Sequence, residues 1–166
     1  MQNQIATKTG VREYFASDGK KFIWECDYKR YQNELNTKSA LKKIKMSKNV
    51  IYHKNLRYFT PPFFPDSYLD ISEYINIEYC CHFTPVNKDG IKELGYFLRT
   101  IVVSSNRYLN TNYDYRELTE KDIGKMIAVY FDEDLRFIEA RDIESFKEEL
   151  QIYFDGLAKE ASLKEE

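Results

Sequence analysis

Two groups of residues could do chemistry. The first is a run of cations. From Asn36 to Pro65 there is no acidic residue and there are seven basic ones: Lys38, Lys42, Lys43, Lys45, Lys48, Lys54 and Arg57. Tyr52, His53, Tyr58, Phe59, Phe63 and Phe64 lie among them or just after. Ammonium and guanidinium groups neutralise phosphates, and aromatic rings stack on unpaired bases, so this mixture fits nucleic acid. The cations named for that role are Lys38, Lys42, Lys43, Lys45, Lys48, Lys54 and Arg57, with Tyr52 and Tyr58 as stacking partners. The second group is His82 and Thr84, with His53 as the only other histidine. On a strand, residues two apart share a face, so an imidazole and a hydroxyl there could move a proton or hold a phosphate.

Other reactive side chains have plainer readings. Cys80, Cys81, His82 and His53 suggest a metal, but adjacent strand residues point to opposite faces and cannot share a tetrahedral ion, so no metal is expected. Cys81 reads as a small core hydrophobe. Asp132, Glu133 and Asp134 sit where a hairpin turn is expected, and these acids, with Glu139, Asp142 and Glu144, read as solvated surface. Glycine loops for phosphate, nucleophile elbows and Cys-x-x-Cys pairs are absent, and no cofactor is expected.

The charge is split along the chain. Residues 1–60 hold thirteen Lys and Arg against five Asp and Glu, a net of +8, whereas residues 61–166 hold twelve against twenty-two, a net of −10. Such a division fits a half that binds a polyanion, or two halves that dock on each other. The plain alternative is a pair of helix faces solvated by opposite signs. A hydrophobic share of 43% is enough for a core, and 31% charged residues argue for a soluble chain of one domain. No apolar run is long enough to span a membrane. Three cysteines form no disulfide framework, which fits a reducing, cytoplasmic setting.

The elements that must position these groups follow from spacing. Residues 11–15 and 21–26 predict two strands around Asp18-Gly19, with Trp24 anchoring the hairpin to the core. Asn36 or Thr37 caps a short helix to about Met46, with Leu41 and Ile44 inward and Lys38, Lys42 and Lys45 on one face. Residues 49–53 and 56–59 are short strand candidates. Pro61, Pro62 and Pro65 exclude a helix and present Phe63 and Phe64 on a stiff loop, for the core or for a partner. From Tyr74 to Phe83 odd positions are apolar and even ones mostly polar, which predicts a half-buried strand with Cys80 and His82 on the wet side. Ile91, Leu94, Phe97, Leu98 and Ile101 fit a helix face, although residues 100–104 could be a strand. Residues 106–117 read as a loop. Thr119 and Asp122 open a short turn that Gly124 ends. Residues 125–131 and 135–140 form a second hairpin. Asp142 caps a final helix, with Ile143, Phe146, Leu150, Phe154 and Leu157 on its buried stripe. The tail from Lys159 frays.

The hairpin and basic helix over residues 11–48 resemble the ββα arrangement of small DNA-binding fingers and the arm-binding modules of recombinases. The zinc ligands of a finger are missing: Cys26 has no cysteine two to four residues away, and the helix has no histidine pair. His82-Phe83-Thr84 resembles one of the two motifs of two-histidine phosphoesterases. That resemblance implies acid–base work by His82 and phosphate binding by Thr84. The second motif is absent, since His53 is followed by Lys54 and Asn55.

The expectation is one α+β domain over residues 1–166, with a basic subregion 1–60, an acidic subregion 61–158 and a tail 159–166. A mostly antiparallel sheet carries a short basic N-terminal helix and a longer amphipathic C-terminal helix. The expected function is non-enzymatic binding of nucleic acid through residues 38–58. The rival is a protein-interaction module of inhibitor or immunity type, using the acidic half or Phe63 and Phe64. Oligomeric state is not legible.

Overall fold

The computed structural model describes residues 4–6, 12–53, 79–115, 117–132, 134–145, 147, 148, 151, 152 and 155. The fold is α+β with antiparallel sheets, as expected. Three short strands, β1 (Gln4–Ala6), β2 (Arg12–Phe15) and β3 (Lys21–Phe22), form one sheet in that order. Helix α1 (Glu25–Lys45) follows, then β4 (Val50–Tyr52), β5 (Tyr79–Pro85), helix α2 (Lys88–Leu109), β6 (Ile127–Phe131) and β7 (Phe137–Asp142). The second sheet has the order β4-β5-β6-β7, so β5, which holds the described end of the expected Tyr74–Phe83 strand, lies in its interior, while residues 74–78 lie outside the described residues.

The first hairpin forms around Asp18 and Gly19 as predicted. Gly19 takes φ +89, and the Asp18 carboxylate accepts from the Lys20 amide at 3.1 Å. Its second strand ends at Phe22, however, and Cys26 belongs to α1. Trp24 is not an anchor. It stands at the N-cap of α1 with extended backbone and is 69% exposed. The hairpin is instead fastened by rings, Tyr14 stacked on Tyr28 (5.6 Å) and Phe22 against Tyr31 (5.1 Å).

Helix α1 is the largest departure from the sequence reading. It has 21 residues rather than ten or so, and Asn36 and Thr37 lie in its interior rather than at its cap. The inward face of its first half is polar: Gln32, Asn33 and Thr37 are buried beside Ala40 and Ile44. Gln32 and Asn33 find partners on other elements, Gln32 at Ser17, whereas the Thr37 hydroxyl is buried with no hydrogen-bond partner. Asn33 Nδ2 donates to the carbonyls of Asp134 (3.3 Å) and Leu135 (3.2 Å), and Asn36 Nδ2 donates to Ser104 Oγ on α2 at 3.2 Å. A buried polar side chain is tolerated when so bonded, but it leaves no apolar period to read.

The most strongly amphipathic of these helices is α2, in the middle of the chain. Leu94, Phe97, Leu98, Ile101 and Val102 are buried, so residues 100–104 are helical and the helix takes in part of the expected loop. Asn110, with φ 54, ends it as a left-handed cap. The core lies between the two helices and one face of the sheet, where Cys81, Phe83, Ile127, Val129, Phe131 and Phe137 meet them. Thr119 and Asp122 form a capping box on a single 3₁₀ turn over Glu120–Asp122, and Gly124 (φ +81) follows. Beyond β7 the described residues 143–145, 147, 148, 151, 152 and 155 are helical. Asp142 accepts from the Glu144 amide (2.9 Å) and from Ser145 Oγ (3.1 Å) as its cap. Ile143 packs on Ala128, Tyr130 and Ile138. The side chains of Phe146, Leu150, Phe154 and Leu157 lie outside the described residues.

Two of the acids read as solvated are buried. Asp132 accepts from the amides of Asp134 (3.0 Å) and Arg136 (2.8 Å) and from Arg136 Nε (2.7 Å), closing the β6–β7 turn. Burial pushes the Asp142 carboxyl up. Lys125 at 3.0 Å, the Glu144 amide and Ser145 outweigh it and hold the group below the ordinary range. No described helix is long and apolar enough to cross a membrane.

Candidate nucleic-acid interface

The histidine cluster lies on the face of the sheet away from α1 and α2. Register pairs Ile51 with Thr84 and Tyr52 with Phe83, and the His53 amide donates to the His82 carbonyl at 3.1 Å. His53 therefore stands directly across from His82, on the same face. His53 Nε2 is 2.9 Å from Thr84 Oγ1, and His82 Nε2 is 3.6 Å from Cys80 Sγ. The fold thus brings together the three residues that the sequence singled out for acid–base work.

The expected wet face is not wet at its centre. His82 is 2% exposed, because Ala128 lies opposite it on β6 and the neighbouring Cys80, Tyr130 and Ile138 form a second apolar cluster. Its Nδ1 has no hydrogen-bond partner. Burial, with a smaller effect from His53, lowers the His82 pKa, and burial with neighbouring Cys81 pushes the Cys80 thiol up to about 12. A neutral thiol is a poor nucleophile. A closed imidazole offers a substrate no edge. Among the described residues no three His, Cys, Asp or Glu side chains gather as ligands for a metal.

A neutral buried histidine has a consequence for stability. Its folded pKa lies below the ordinary histidine value of 6.5, so above that pH both folded and unfolded states are neutral there. As pH falls through 6.5 the unfolded chain takes the proton first, and stability drops until the folded pKa is passed. Urea midpoints at pH 7.5 and 5.5 are expected to show this loss, and His82→Gln to make it smaller. An unchanged loss in the variant would remove His82 as the cause.

On the opposite side of the molecule lies the basic surface. Lys38, Lys42, Lys43, Lys45 and Lys48 are all exposed. They are not equally available. Lys38 is paired with Glu34, and Lys45 lies over the Tyr52 ring at 4.4 Å. Tyr52 is also packed on Phe83 (5.5 Å), so its ring is engaged inside the protein rather than offered to a base. Lys42, Lys43 and Lys48 have no hydrogen bond or ion pair to another described residue. Lys42, Lys43 and Lys45 also occupy the last turn of α1, where they complement the helix dipole. Lys54, Arg57, Tyr58, Phe63 and Phe64 lie outside the described residues.

Between the helices runs a groove of about 470 Å³, with Ser39 and Lys43 on one wall and Lys92, Tyr96 and Thr100 on the other. Its floor is Ala40, Ile44 and Phe97. Tyr96 is 71% exposed. Glu93, the acid in this groove, is bonded to Ser47 and to Asn49 Nδ2 (2.8 Å), and Asn49 Oδ1 accepts from Asn87 Nδ2 at 2.9 Å. This knot ties the end of α1 to the start of α2 and takes up the carboxylate. No family model, curated protein or solved structure matches this chain.

Lys92 and Tyr96 were absent from the sequence reading, and so were Arg99 and Arg107. All four are exposed on α2. A signal was present: residues 94–113 contain no acid, and Lys92, Tyr96 and Arg99 are spaced four and three apart. What the spacing lacks is the neighbour. Only the packing of α2 on α1 sets Lys92 across from Lys43.

Proposed function

We propose that the protein binds nucleic acid through the outer faces of α1 and α2. The observation that carries this is the groove itself, where lysines from two helices flank an exposed tyrosine. Phosphate neutralisation supplies affinity, and the cations on this side outnumber the acids that remain unbonded. Lys92 is paired with Asp89 at 3.2 Å, but both are well exposed and such a pair is worth little, so exchange for a phosphate costs little. A reducing, cytoplasmic setting fits the three free thiols, Cys26, Cys80 and Cys81.

The test is binding of labelled DNA and RNA across a salt series, by the wild-type chain and by a Lys43→Glu, Lys92→Glu double variant. Binding is expected to weaken steeply with salt. Loss of two phosphate contacts is expected to flatten the slope of log affinity against log salt by about 1.4 for a single strand. Absence of any binding at low salt overturns the reading and makes an acidic protein surface the better partner for these lysines.

A further inference from the structure

We infer that the ligand is single-stranded, with Tyr96 as the residue that stacks on an unpaired base and the outer face of α2 as the track for its backbone. This rests on the nucleic-acid reading above and goes further in naming the form of the nucleic acid and a residue that reads it.

The first observation is the state of Tyr96. Of the tyrosines whose side chains are described, Tyr96 alone stands exposed. The others are held: Tyr14 and Tyr28 stack on each other, Tyr31 lies on Phe22, Tyr52 on Phe83, Tyr108 on Tyr28 and Tyr113 on Phe137, while Tyr115 packs on the main core and Tyr130 is buried in the second cluster. Tyr96 has no ring or cation partner among the described residues. A bare aromatic face in a groove flanked by two lysines matches what a base offers, a flat π-surface beside a phosphate. In a duplex that surface is hidden by stacking on both sides. Only an unpaired base can present it.

The second observation is the stripe that continues from Tyr96. Lys92, Tyr96, Arg99, Val103 and Arg107 are all exposed, and at 100° per residue they fall within a quarter or so of the helix circumference. From Lys92 to Arg107 the rise is about 22 Å, room for a handful of nucleotides. Arg99 has no partner among the described residues, and Arg107 lies on the Tyr108 ring at 5.4 Å. No acid follows Glu93 on this helix. The face thus alternates cations with an aromatic and an aliphatic side chain, the composition that follows a flexible strand with bases turned toward the protein.

Fluorescence anisotropy of the full chain decides the matter, with oligothymidylate, oligouridylate and a mixed-sequence duplex, each of about 12 nucleotides per strand, at about 50 and 200 mM salt. The wild type is expected to bind at least one single strand about tenfold more tightly than the duplex. Tyr96→Ala is expected to weaken that binding by about 5- to 150-fold with an unchanged salt slope, and Tyr96→Phe to restore most of it. The separate DNA and RNA arms show which sugar is preferred. Equal affinity for duplex and single strand, or a Tyr96→Ala variant that binds as well as wild type, overturns the inference while salt-sensitive binding leaves the broader reading standing. No binding by the wild type overturns both. Tyr96 is a surface residue, so the variant is expected to fold, which circular dichroism verifies.

Discussion

Gly90→Ala is expected to destabilise the protein by about 3 kcal/mol, at or above the upper end of ordinary overpacking. Gly90 lies in the first turn of α2, where its amide donates to Asn87 Oδ1 at 2.9 Å. A Cβ there would lie 2.2 Å from the carbonyl oxygen of Asn49, 3.1 Å from its carbonyl carbon and 3.2 Å from Pro85 Cα. All three are backbone atoms, so no side chain can swing aside. The Asn49 carbonyl also accepts from the Val86 amide at 2.9 Å, and moving it would open the β4–β5 end of the sheet. Gly95 makes the control within the same helix. A Cβ there meets nothing within 4 Å, and Gly95→Ala is expected to stabilise by about 0.5–1 kcal/mol through helix propensity. Urea unfolding measures both. Equal shifts of the same sign would show that contact at Gly90 is not what decides the outcome.

Phe83→Ala is expected to cost about 3–5 kcal/mol, a large part of the stability of an ordinary domain. The ring is fully buried in β5 and touches both layers, lying 5.5 Å from Tyr52 on β4 and 5.4 Å from Phe97 on α2. Its register partner on β6 is Ile127, itself in the core. Removal leaves a cavity between sheet and helix that neighbouring backbone cannot close. Lys45 would lose a firm seat as well, since it lies on Tyr52 and Tyr52 lies on Phe83. The measurement is the denaturation midpoint with the slope unchanged. A loss under about 1 kcal/mol would mean that the site collapses onto the missing ring.

Much of the sheet was legible because its strands obey period two or are bounded by turn residues. The alternation that ends at Phe83, the turn at Asp18-Gly19, the hairpin before β7 and the Thr119–Asp122 box are all local signals, and local signals survive in one dimension. Helix α1 was read at half its length for a physical reason. Gln32, Asn33 and Thr37 are inside, and a period built from apolar residues cannot register polar ones that are buried on bonded or close-packed terms. His82 was misplaced because alternation supposes one dry face, whereas this sheet buries residues on both, as the fully buried run of β6 shows. The lysine run was read correctly as exposed over residues 38–48. Tyr52 and Tyr58 are its aromatic partners by nearness in sequence; Tyr52 is packed on Phe83, Tyr58 lies outside the described residues, and the exposed tyrosine that lines the groove with Lys43 and Lys92 is Tyr96.

The polar seam between the helices also sets a length. Apolar side chains accept many neighbours and let one helix slide a little along another. The bond from Asn36 to Ser104 joins α1 to α2, those from Asn33 to the carbonyls of Asp134 and Leu135 join α1 to the β6–β7 turn, and together they are satisfied at one offset only. The two walls of the groove are therefore held like the jaws of a fixed gauge. For the strand proposed to enter between Lys43 and Lys92, an opening fixed in this way would make thickness a criterion of selection alongside charge.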